Sequence, residues 1–220
     1  MGFNMKSLFK ICDKSFDLIT VINIGIDLIK NIQVFHNMGF VHRDLKPDNL
    51  VYGPLCKENA NHKNAVGIID FGNSKLMFKN KGILNYSPGF YNRRGNKIFS
   101  SNNALLNKDT DYYDDIESIF YILVYFLNGT LPWKKTGGSK KEYSSNDIIQ
   151  IRLKQEPEKL CYKFPKSFLI LYKKIISRCY HERPDYSEIL NIFKKIKNDN
   201  EKQNGEKTYR FKWLEIFADI

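Results

Sequence analysis

Asp44, Lys46 and Asn49 fall within six residues of one another in the run His42-Arg43-Asp44-Leu45-Lys46-Pro47-Asp48-Asn49, and Asp70-Phe71-Gly72 begins twenty-one residues after Asn49. A carboxylate, an ammonium and an amide at that spacing suit phosphoryl transfer. That reaction asks the protein for positioning and charge compensation more than for covalent help. Asp44 can orient and deprotonate an acceptor hydroxyl, Lys46 can contact the transferring phosphate, and Asn49 offers a neutral oxygen to a hard Mg²⁺ ion. Asp70 closes an apolar segment and is followed by a glycine that permits a tight turn, which makes it a second candidate metal ligand. Either tripeptide alone arises easily by chance; the eight-residue run with the second motif at this distance does not.

These groups need elements to hold them. From Val21 to Met38, apolar residues stand at Val21, Ile22, Ile24, Ile26, Leu28, Ile29, Ile32, Val34 and Phe35, dense enough for a largely buried helix stopped at Met38-Gly39. Leu50-Val51 and Val66 to Ile69 read as two short strands joined by a loop rich in Gly, Pro and Asn. Asn73 to Tyr112 shows little periodicity, and so long an irregular stretch is either functional or disordered. Asp114 to Leu127 reads as a buried core helix. Its apolar run, Ile119 to Leu127, is well short of the roughly 20 residues a bilayer requires, and no transmembrane segment is expected. Further helical patterns cover Ile148 to Leu153, Ser167 to Cys179 and Tyr186 to Ile196. The polar stretch Asn198 to Thr208 reads as a mobile linker before Tyr209, Phe211, Trp213 and Phe217.

The 220 residues suffice for one core and one domain, and the net charge is +11. Such a charge can attract nucleic acid, anionic membranes or acidic proteins, or reflect a Lys-rich composition spread over the surface. No nucleic-acid recognition motif accompanies it, so nucleic acid is not an expected partner. Lys134, Lys135, Lys140 and Lys141 form one denser cluster, either a solvated loop or a docking site for substrates. Cys12, Cys56, Cys161 and Cys179 have no zinc-ligand spacing. With no signal-peptide pattern either, an intracellular location, cytoplasmic or nuclear, is the expectation.

The HRDLKPDN run and the DFG triplet resemble the catalytic and metal-binding loops of protein kinases, and Lys46, two residues after Asp44, resembles the serine/threonine class. The resemblance implies ATP and Mg²⁺ as cofactors and Ser/Thr hydroxyls of proteins as acceptors. It makes Asp44 the catalytic base, Lys46 the phosphate contact, Asn49 and Asp70 the Mg²⁺ ligands, and Val51 the apolar floor beneath the adenine. His42 would pack under Phe71 without transferring protons, and Asp115 would fix the backbone of the catalytic loop. His36 reads as a helix-end residue rather than a ligand. Five further stretches resemble the casein kinase 1 branch: GNKIFSSNN (95–103), YDDIES (113–118), GTLPW (129–133), RPDY (183–186) and YRFKW (209–213).

The fold implied is mainly α: a protein-kinase-like C-terminal lobe, a helical bundle with short β-strands around the catalytic loop. Residues 1–197 would form that lobe, and 198–220 a polar linker and an aromatic tail packing on it. The stretch from Met1 to Phe9 resembles the segment that follows the kinase hinge, so the small lobe is expected to be absent. No Gly-rich loop and no lysine-bearing V-A-I-K strand occurs. A partner that supplies or covers the missing lobe is therefore expected, and the alternative function is a non-catalytic half-kinase acting as a binding or scaffold module. Two positions depart from the branch pattern: Asn96 stands where it has Thr, and Ile98 where it has an Arg that helps bind acidic or phosphorylated substrates. Lys97 and the lysine cluster are the candidates to replace that anion site.

Overall fold

A computed structural model describes residues 3–53, 65–79, 83–84, 96–135, 143–178, 182–204 and 213. In chain order they form β1 (Phe3–Asn4), α1 (Met5–Ile11), α2 (Leu18–Asn37), β2 (Phe40–Val41), a 3-10 turn (Pro47–Asn49), β3 (Leu50–Gly53) and β4 (Ala65–Ile68). There follow β5 (Lys75–Leu76), β6 (Phe78–Lys79), β7 (Ile83–Leu84), α3 (Asn102–Leu105) and α4 (Tyr112–Asn128). The last are α5 (Ser145–Lys154), α6 (Pro157–Leu160), α7 (Lys166–Ile176) and α8 (Tyr186–Asn204). Helices dominate, and the strands are short, as the sequence pattern requires.

α2 begins three residues before its first expected residue because Asp17 caps it. The carboxylate takes the Thr20 amide at 2.8 Å and the Thr20 hydroxyl at 2.7 Å. Val21, Ile22, Ile24, Leu28, Ile29 and Ile32 are fully buried, each contributing on the order of 1.5–3 kcal/mol of apolar burial. α2 packs on α4 and α8, and Gly25 makes the approach close. A methyl there would lie 2.8 Å from Phe193 Cε2 and 3.0 Å from Leu123 Cδ1. Among the described residues α2 is the one helix long and apolar enough to cross a membrane. Most of its apolar side chains are buried inside the protein, although Val34 is exposed, as in a core helix with one face to solvent. Thr20, Asn23 and Asp27 interrupt its apolar run.

α4 is buried along nearly its whole length, including Asp114, Asp115 and Glu117. Asp111 and Asp114 form a reciprocal capping box at its start, and Gly129, at φ +85°, supplies the left-handed residue that ends it. β3 is central in an antiparallel sheet of order β1-β3-β4, with Leu50 opposite Ile68 and Val51 opposite both Asn4 and Gly67. β2 pairs with β5, and β6 with β7.

The polar stretch from Asn198 differs from expectation: α8 runs on as helix to Asn204. Polarity does not prevent a helix that already has a buried face, and Lys197 pairs with Glu201 one turn later at 3.7 Å. Trp213 is fully buried against Phe16 (ring centroids 5.2 Å) and Tyr52 (5.0 Å). Tyr209, Phe211 and Phe217, like Cys56, Cys179, Lys140 and Lys141, lie outside the described residues.

Candidate active site

The β3–β4 hairpin brings the two candidate metal ligands together. Leu50 faces Ile68, and the Ile69 amide donates to the Asn49 carbonyl at 3.0 Å, which sets Asp70 one residue beyond the Asn49 position. The 3-10 turn at Pro47–Asn49 folds Asn49 back on Asp44. Its Nδ2 donates to the Asp44 carbonyl at 2.9 Å and reaches Asp44 Oδ2 at 3.4 Å. That commits the amide nitrogen and leaves the side-chain carbonyl oxygen for a ligand.

Lys46 Nζ donates to Asp44 Oδ2 at 2.6 Å, so Asp44, Lys46 and Asn49 form one cluster. Asp44 is buried, whereas Lys46 keeps 22 % of its side chain exposed. Asp70 is exposed and takes only a long bond, 3.4 Å, from the Gly72 amide. A neutral amide oxygen beside an open carboxylate is a hard donor set of the kind Mg²⁺ prefers, and the residues present fit that ion. Val51 lies half-buried on the sheet face opposite Leu50 and Tyr52. Of its cross-strand neighbours, Asn4 and Gly67, the second has no side chain to cover it. Ile69, exposed just past the end of β4 and two residues after Gly67, is in register with that face. Strand alternation from Gly67 places it there.

Arg43 and Asp70 hold left-handed backbones, φ +69° and +66°, at a cost of order 1–3 kcal/mol each. Neighbours fix Arg43 in this state. Its amide donates to Asp115 Oδ1 at 2.8 Å, and its Nε donates to the Asn73 carbonyl at 2.8 Å. Asp115 Oδ2 accepts the His42 amide at 2.6 Å and His36 Nε2–H at 2.9 Å. Asp115 therefore holds the backbone at His42 and Arg43. Burial alone would raise its pKa, but His36 and then His42 outweigh that and hold the carboxyl below the usual carboxylate range.

His36 does more than end a helix: it is fully buried, and the Tyr186 hydroxyl lies 2.6 Å from its Nδ1. His42 is also fully buried. Its Nδ1 accepts the Asp44 amide at 3.3 Å, its Nε2–H points at the Ile69 carbonyl at 3.3 Å, and its ring lies 5.2 Å from Phe71. Both ring nitrogens are thus spent on backbone, as expected of a packing residue.

Asn73 was not singled out in the sequence, yet its Nδ2 donates to Asp44 Oδ2 at 3.3 Å. Asn96, which was, turns inward: its Oδ1 accepts the Ile98 amide at 3.0 Å. The segment around Ile98 is tied to the helical body. Trp133 Nε1 and Arg152 Nη2 both donate to the Ile98 carbonyl, at 2.7 and 3.0 Å, and Glu117 Oε1 accepts the Asn102 amide at 3.0 Å. Residues 98–102 are thereby joined to both the YDDIES and the GTLPW stretches. Of the lysine cluster, Lys134 donates to the Tyr125 hydroxyl at 2.7 Å, and Lys135 lies over the Tyr143 ring.

Arg178 sits among Asp111, Asp114 and Glu117, at 4.0, 2.9 and 3.1 Å. Burial pushes Asp114 up to about 8; Arg178 pulls against this, and Asp111 and Glu117 add to the rise. Three buried carboxylates around one guanidinium favour the protonated form of Asp114.

A family model described as protein kinase domain matches residues 3–193, a span that contains every site residue named above.

Proposed function

The chain belongs to the protein kinase family, and from that premise we propose that it transfers the γ-phosphoryl group of ATP to serine and threonine hydroxyls of proteins. The observation that carries the proposal is the buried Asp44 carboxylate held at 2.6 Å by Lys46, with Asn49 and Asp70 adjacent through the β3–β4 pairing. Asp44 receives the proton of the acceptor hydroxyl as that oxygen bonds to phosphorus. The bond from phosphorus to the ADP oxygen breaks, and that oxygen keeps the electron pair. The Lys46 ammonium stands where the incoming phosphoryl group carries its charge. Asn49 and Asp70 would hold Mg²⁺, which when bound screens the phosphate oxygens. Val51, with Gly67 and Ile69, offers the apolar face on which an adenine can rest.

The casein kinase 1-like branch is the finer proposal, supported by the contacts that join Glu117 to Asn102 and Trp133 to Ile98. No Gly-rich phosphate loop or V-A-I-K lysine strand occurs in the 220 residues, so we take those groups to come from outside them. Loss of one such donor slows a reaction by on the order of 10²–10³, and transfer by these residues alone is slow on this account. The alternative, a non-catalytic scaffold, is not favoured, because the chain carries all of Asp44, Lys46, Asn49 and Asp70. Phosphoamino-acid analysis of casein labelled from radioactive ATP tests the class. Phosphoserine and phosphothreonine are expected, and phosphotyrosine would overturn it.

A further inference from the structure

The two oxygens of Asp44 are unequally loaded. Oδ2 takes Lys46 Nζ at 2.6 Å, Asn73 Nδ2 at 3.3 Å and Asn49 Nδ2 at 3.4 Å. Among the described residues no donor reaches Oδ1. The three donors differ in how firmly they can stay. Asn49 is committed first to the Asp44 main-chain carbonyl, and Lys46 is a flexible, partly exposed cation that an incoming phosphate can draw away. Asn73 is neutral, and its backbone is anchored, since its carbonyl accepts Arg43 Nε at 2.8 Å and the Arg43 amide is fixed on Asp115.

We propose that Asn73 is a positioning residue that holds Asp44 Oδ2 and so leaves Oδ1 as the oxygen that accepts the proton of the substrate hydroxyl. An amide N–H donates to a carboxylate without carrying a charge that phosphate can compete for, so it keeps the carboxylate plane fixed while Lys46 shifts to the phosphoryl group. Asn73 touches neither substrate nor cofactor in this account; it acts through Asp44. The inference rests on Asp44 being the base.

Two measurements on the full chain keep the inference and the kinase assignment separable. The first is phosphoryl transfer to casein by Asn73→Ala and by the isosteric Asn73→Asp, which replaces the donor with a repelling charge. Asn73→Ala should lower kcat about tenfold, the scale of one hydrogen bond to a charged group, with KM for ATP unchanged within about twofold. Asn73→Asp should lower kcat further. The second is the side-chain amide NMR signal of Asn73, identified by its loss in Asn73→Ala, which should shift when Asp44 is replaced by Asn. An unchanged kcat in Asn73→Ala, a loss that appears in KM alone, or an Asn73 signal indifferent to Asp44→Asn would each overturn the inference. If the unsubstituted chain transfers nothing, the assignment of Asp44 as base falls, and with it the role given to Oδ1. The amide signal would still decide whether Asn73 holds Oδ2.

Discussion

His36 Nε2 lies 2.9 Å from Asp115 Oδ2, the same oxygen that accepts the main-chain amide of His42 at 2.6 Å. One buried carboxylate thus ties α2 and the catalytic loop to α4. Asp115→Ala leaves the His42 and Arg43 amides without their acceptor, and we expect a loss of about 3 kcal/mol in urea unfolding. The lowered pKa of Asp115 fixes the sign of its pH dependence. Its contribution is complete above the ordinary aspartate value of 3.8 and is lost as pH falls below it. Asp115→Asn should abolish that part of the acid sensitivity.

Asp114 should behave in the opposite sense. A carboxyl raised to about 8 in the fold binds its proton more tightly there than in the unfolded chain. Its stabilising contribution is therefore complete below 3.8 and is lost as pH rises through about 8. Urea midpoints measured across that window should fall with pH in the native chain and flatten in Asp114→Asn. A native midpoint that rises through the window would contradict the assignment of the retained proton to this cluster.

Trp213 fills the space between Phe16 and Tyr52, directly behind the strand that carries Val51. Trp213→Ala should cost about 3–5 kcal/mol, the usual loss for a buried aromatic, read by chemical denaturation. Trp213→Phe should recover most of that. A substitution without effect would show that the tail is dispensable to the core.

Much of this arrangement is legible in the chain, and unevenly so. Asp44, Lys46, Asn49 and Asp70 stand out because close spacing of chemically distinct groups survives any detail of packing, whereas the role of Val51 came through the resemblance. The role of Asp115 came through the resemblance, and its contacts agree. Asn73 did not stand out, since a lone amide after a glycine looks like any turn residue until the fold sets it against Asp44. The pairing of His36 with Tyr186, 150 residues apart, and the gathering of Asp111, Asp114 and Glu117 on Arg178 are long-range contacts that no local pattern encodes. α8 runs past its expected end because polar composition alone resembles a linker, whereas the buried face of its first turns carries the helix on to Asn204.

The central claim, that Asp44 is the base of a phosphoryl-transfer site, is tested most directly by transfer of radioactive γ-phosphate from ATP to casein, native chain against Asp44→Asn. The account predicts slow, Mg²⁺-dependent labelling by the native chain that disappears in Asp44→Asn, whose amide cannot accept the hydroxyl proton. Labelling that Asp44→Asn leaves unchanged, or no labelling at any Mg²⁺ concentration, would contradict it.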